Sequence, residues 1–98
     1  SKIALARLSA YLAKELAGTG VRVNTLAPGW VRTRATEFAS ADPDTYAAAI
    51  AGIPARRFAE PAEMANVALF LASDDSSFMT ANTFLVDGGI SGAYVTPL

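Results

Sequence analysis

The chain has 98 residues, of which 52% are apolar and 17% charged, a balance that argues for a packed globular segment and against disorder. Eight Lys and Arg against nine Asp and Glu leave a formal charge of −1, so nucleic-acid binding and a membrane-surface role have little support. Cys and His are both absent, which excludes disulfides, thiol chemistry, zinc sites built on Cys or His and imidazole catalysis, leaving Lys, Tyr, Ser, Thr or carboxylates for any chemistry and no expected metal site.

From Lys2 to Ala17 the residues are apolar nearly all round, interrupted by Arg7, Ser9, Lys14 and Glu15, which predicts a helix over 2–17 buried on several sides. Gly18 and Gly20 are stop signals, and Val21 to Ala27 reads as a strand over 21–27 ended by Pro28-Gly29. In an open α/β sheet ligands gather outside the carboxyl end of such a strand, and Pro28-Gly29 lies there. Residues 30–41 look like loop, after which Asp42 caps a helix with Pro43 at its first position, running to about Gly52. Pro61 opens a helix over 61–72 with Met64, Val67, Ala68 and Leu71 on one face. A polar stretch from Ser73 to Ser77 ends it, residues 83–86 form a second strand closed by Asp87-Gly88-Gly89, and the tail 90–98 has no readable period. The expected fold class is α/β, with two parallel strands and flanking helices. No apolar run reaches the ~20 residues that span a bilayer and nothing resembles a secretory leader, so a soluble cytoplasmic protein is expected. A start at Ser1-Lys2 without Met reads as part of a longer chain.

Five collinear segments carry a resemblance: Ser1-Lys2 opening a helix, Asn24-Thr25-Leu26-Ala27-Pro28-Gly29-Trp30-Val31-Arg32-Thr33, Arg57 to Ala65, Phe70-Leu71-Ala72-Ser73-Asp74, and Val86-Asp87-Gly88-Gly89. In that order they resemble the C-terminal part of a short-chain dehydrogenase/reductase. The resemblance covers almost the whole chain and implies the C-terminal portion of a doubly wound, Rossmann-type domain, with residues 34–58 as the variable substrate-covering region.

The family's central motif is Tyr-x-x-x-Lys, and the interval of thirteen residues from Lys2 to Glu15 matches its spacing, so Lys2 looks like the motif lysine. The tyrosine is then expected three residues before Ser1, and the catalytic serine and the glycine-rich phosphate turn further upstream. An ammonium beside a tyrosine hydroxyl favours the phenolate and lowers a pKa that is ordinarily near ~10. By resemblance, Lys2 also hydrogen-bonds the nicotinamide ribose of NAD or NADP. The resemblance further places Pro28, Gly29 and Val31 along the nicotinamide, with Gly29 allowing close backbone approach and Thr33 binding the carboxamide through its amide and hydroxyl. Trp30 either lines the substrate pocket or covers the sheet edge. Arg34, with Arg56 and Arg57, invites an anionic substrate, although pairing with Glu60 or Glu63 is the plainer role.

The implied activity is hydride transfer between nicotinamide and a carbonyl or secondary alcohol, with the isolated chain inactive because its proton donor and phosphate turn lie elsewhere. The implied partners are that small-molecule substrate, the missing N-terminal half and further copies in a dimer or tetramer, through the helix 2–17 and through residues 84–86 with the helix from Pro61. A non-catalytic relative that keeps the fold as a binding or scaffold protein stands as the alternative, as does a structural fragment that assembles with a separate N-terminal chain.

Overall fold

The computed structural model describes residues 2–92. Ser1 and residues 93–98 of the expected tail lie outside the described residues. The elements are helix α1 (Lys2–Leu16), strand β1 (Thr25–Pro28), short helix α2 (Glu37–Ser40), helices α3 (Pro43–Ala51) and α4 (Pro61–Ala72), and strand β2 (Thr83–Val86). The two strands form a parallel pair, and the three helices between them make the connection of a partial Rossmann-type α/β domain. The chain divides into two compact units, Ser1–Ala27 with Asn66–Phe84 and Pro28–Ala65 with Leu85–Leu98.

In the first unit, α1 stops at Leu16, one residue short of the expected helix, because the chain tightens into a 3₁₀ turn over Ala17–Thr19. Gly20 closes that turn at φ 85°, a left-handed conformation that glycine adopts without steric cost. The strand expected over 21–27 is corrected: β1 begins only at Thr25. Val21 to Asn24 have strand-like composition, but their polar groups serve another purpose. The amide of Val23 donates to the Thr80 hydroxyl at 3.1 Å and its carbonyl accepts from Ala81 N–H at 2.8 Å. The Asn24 side chain donates to the Met79 carbonyl at 2.9 Å and accepts from Asn82 N–H at 3.3 Å.

Arg22 organises this region. Its guanidinium donates to the carbonyls of Leu71 and Ser73 (3.0 and 3.1 Å), to the carbonyl and hydroxyl of Ser76 (2.7 and 3.1 Å), and to the Met79 carbonyl at 3.0 Å. These acceptors cluster where α4 ends and the 3₁₀ turn Asp74–Ser76 follows, where the helix dipole also favours a cation. Ser76 is buried. Parallel pairing starts just beyond, with Thr25 N–H donating to the Asn82 carbonyl at 2.9 Å.

In the second unit, Gly29 N–H donates to the Val86 carbonyl at 3.0 Å. The reading of 30–41 as loop is corrected in part, because Arg34–Thr36 form a 3₁₀ turn and α2 follows it directly. Polar residues and threonines obscure these short turns in the sequence, since their order comes from packing. Asp42 caps α3 by accepting from Thr45 N–H at 3.1 Å, with Pro43 at the first helical position. Ala39, Ile53 and Phe58 form the buried cluster, against which Tyr46, Ala49 and Ile50 pack.

Candidate functional site

The strand-end segment from Pro28 to Thr36 is built on the second unit. Beyond β1, Val31 pairs with Ala59 in a parallel bridge, Arg32 N–H donating to the Ala59 carbonyl at 2.8 Å and Ala59 N–H to the Trp30 carbonyl at 2.9 Å. A Cβ on Gly29 would lie 2.8 Å from both Cα and Cβ of Asp87. Glycine is therefore required at this position by the protein's own strand exit, independently of any approach of a cofactor to the backbone. Pro28 is exposed and Val31 half-buried.

Thr33 is exposed, but its amide is engaged: it donates to the Thr36 hydroxyl at 2.9 Å. That hydroxyl in turn reaches the Val31 carbonyl at 2.6 Å. The Thr33 side-chain oxygen accepts from the Thr36 backbone N–H, the other half of a capping box, and the two hydroxyls lie 3.4 Å apart, a weak contact that leaves the Thr33 hydroxyl proton available. No motif in the sequence points to Thr36; the only signal is a hydroxyl three residues after Thr33, the spacing of a turn-closing side chain.

Trp30 lies face to face with buried Phe58, ring centroids 4.9 Å apart and planes 10° from parallel, and Phe38 stands tilted to it at 6.4 Å. Tyr46 meets the Phe58 ring edge-on at 5.0 Å. Trp30 thus stacks on the core with one side while 36% of it stays exposed; Phe38 is 68% exposed. Phe58 anchors this arrangement, although its sequence context marks it only as part of the Arg57 to Ala65 match.

Arg57 donates to both carboxylate oxygens of Glu63 (2.6 and 2.9 Å), and Arg32 pairs with Glu60 at 3.1 Å while its guanidinium sits 5.8 Å from the Tyr46 ring centre. The Arg57 fork, and then the amide of Glu60, hold the Glu63 carboxyl down to about 2. Among the described residues no ion pair involves Arg34, which is exposed. A cavity of about 90 Å³ opens beside Trp30, Arg57 and Met64, well below the several hundred Å³ that a cofactor-sized ligand occupies. Lys2 belongs to the first unit, exposed in the first turn of α1.

A family model described as enoyl-(acyl carrier protein) reductase matches residues 1–91. The 3-oxoacyl-[acyl-carrier-protein] reductase FabG of Thermotoga maritima is 42% identical over 90 residues, covering 92% of this chain and 36% of that protein. The active-site complex of RhlG with NADP from Pseudomonas aeruginosa superposes with a TM-score of 0.85 at 43% identity, covering 91% of this chain and 36% of the other. The chain belongs to the short-chain dehydrogenase/reductase family. A second structure, 4-hydroxyisoleucine dehydrogenase complexed with NADH, gives a TM-score of 0.87 at 28% identity over 94% of this chain and 38% of that one.

The chain spans about 36% of the length of the curated short-chain dehydrogenase/reductase relatives it matches. Its family is one of oxidoreductases, and both nicotinamide cofactors occur among the neighbouring structures. The donor set here fits such a group. Within the second unit, a primary carboxamide, which both gives and takes hydrogen bonds, is matched by the exposed Thr33 with its hydroxyl proton.

Proposed function

We propose that this chain is the C-terminal part of one Rossmann-type domain in an NAD- or NADP-dependent oxidoreductase that moves hydride between nicotinamide and a carbonyl or secondary alcohol. The observation that carries the reading is the exposed Lys2 in the first turn of α1, thirteen residues before Glu15, in a chain matched by its family model over residues 1–91. The nicotinamide group supplies or accepts the hydride. Lys2 hydrogen-bonds the ribose and holds its charge beside a tyrosine hydroxyl of the longer protein, lowering that hydroxyl's pKa so that it can exchange a proton with the substrate oxygen. Pro28, Gly29 and Val31 present main chain toward the ring, and Thr33 gives its hydroxyl to the carboxamide.

Trp30 and Arg34 face the substrate, with the aromatic notch of Trp30 and Phe38 supplying an apolar wall. Arg57 and Arg32 are paired with Glu63 and Glu60, which supports a structural part for them. The ketone and alcohol branch is favoured over enoyl reduction, because Ser1 precedes Lys2 and because the Thermotoga relative is named for a 3-oxoacyl substrate. Turnover is expected of the longer, cytoplasmic protein, with these 98 residues inactive alone.

Lys2→Ala in that longer protein should lower turnover by ~10²-fold or more, the scale of lost acid/base assistance, and weaken cofactor binding. Steady-state kinetics with cofactor titration check this; near-normal activity would remove Lys2 from the reaction.

A further inference from the structure

One side-chain atom, Thr36 Oγ1, holds the strand-end segment in shape. A hydroxyl has one proton and two lone pairs. The Val31 carbonyl at 2.6 Å is its nearest acceptor, with the Thr33 carbonyl farther away at 3.2 Å, so the proton goes to Val31. One lone pair receives the Thr33 amide at 2.9 Å. Between the two, Arg32 N–H is bound to the Ala59 carbonyl at 2.8 Å. Three consecutive residues are thereby fixed, two by Thr36 and one by the bridge.

We propose that Thr36 is a positioning residue for nicotinamide binding: by occupying the Val31 carbonyl and the Thr33 amide, it leaves the Thr33 hydroxyl as that residue's sole contact to the carboxamide. The proposal rests on reading this segment as cofactor-facing. An amide already committed at 2.9 Å cannot serve the ligand without breaking the Thr36 bond. Orientation of the ring then depends on a threonine that touches no cofactor atom itself.

The test uses Thr36→Val, Thr36→Ser and Thr33→Val in the longer protein. Affinity for reduced cofactor is read by fluorescence titration without substrate, and the hydride face by transfer from cofactor deuterated on one side of C4. Thr36→Val should weaken binding by about tenfold, the scale of one or two lost hydrogen bonds, and erode facial selectivity, while Thr36→Ser restores both. Wild-type affinity and selectivity in Thr36→Val would overturn the proposal, as would equal losses in the Val and Ser variants, which would point to packing. If Thr33→Val weakens binding while Thr36→Val does not, the cofactor reading stands and the role of Thr36 falls; if neither does, both fall. Should Thr36→Val fail to fold, amide exchange in the cofactor-free wild type decides, since slow exchange at Thr33 supports the clamp and fast exchange refutes it.

Discussion

Glu63 is the residue whose environment most changes its chemistry. Its carboxyl accepts the Arg57 fork and also reaches back to the Glu60 amide at 2.9 Å, which is the return half of a helix capping box at the start of α4. The folded-state value near 2 lies below the ordinary 4.5, so the folded protein binds fewer protons there than the unfolded chain. The stability this group contributes is complete above about 4.5 and is lost as the pH falls toward about 2. Urea midpoints of the longer protein and its Glu63→Gln variant should therefore differ near neutrality and converge near pH 2, the gap shrinking with salt because the pair is partly exposed. The pairing of Arg57 with Glu63 is legible in the sequence, where both stand close together with opposite charge. Gly29 is also legible as a necessary glycine, but the reason for it is not. Only the fold brings Asp87 within 2.8 Å of the missing Cβ, and no local pattern contains that distance.

Among elements, α4 and β2 are the clearest in the sequence, since Pro61 and the polar run after Ala72 punctuate the one and the Asp-Gly-Gly turn closes the other. The first strand starts later than its composition predicts, because β-branched residues look like ladder formers whatever their backbone partners are. Val23 satisfies its main chain with Thr80 and Ala81, and Arg22 spends its side chain on five hydrogen bonds around the end of α4. Those acceptors are neutral carbonyls and one hydroxyl, arranged for a planar fork. Arg22→Ala should cost about 2 to 3 kcal/mol, by removing charge-assisted hydrogen bonds to carbonyls that each keep another donor and by leaving the buried Ser76 hydroxyl oxygen without one. Arg22→Lys should recover less than half of that, because a single ammonium cannot reach five acceptors in the same geometry. Chemical denaturation of both variants checks the claim; full recovery by Lys would show that charge alone matters.

For the whole molecule, α1 poses the question of assembly. Ile3, Leu5 and Tyr11 are 77%, 60% and 61% exposed in the chain by itself, whereas Ala13 is fully buried. Of the small residues on this helix, Ala13 is therefore excluded from any face shared between subunits, being covered by its own chain. The exposed apolar side chains support the proposal that the longer protein is a dimer or tetramer, the closed two-fold contact being self-complementary. Light scattering at micromolar concentration should give a multiple of the chain mass, and a monomer would refute it.

The single bridge between Val31 and Ala59 has a consequence for how such a protein can change. Everything from Arg32 to Phe58 leaves and returns through that one pairing, whose two hydrogen bonds fasten both ends of the excursion at the base. Closing a longer flexible loop costs little more than closing a short one, with each doubling adding only about 0.6 kcal/mol. Insertions or deletions in the exposed turns beyond Thr36 that spare the Ala39, Ile53 and Phe58 cluster can then be absorbed while Pro28 to Val31 keep their place. A short pairing of two residues thus separates a segment whose length can vary from the strand exit beside it.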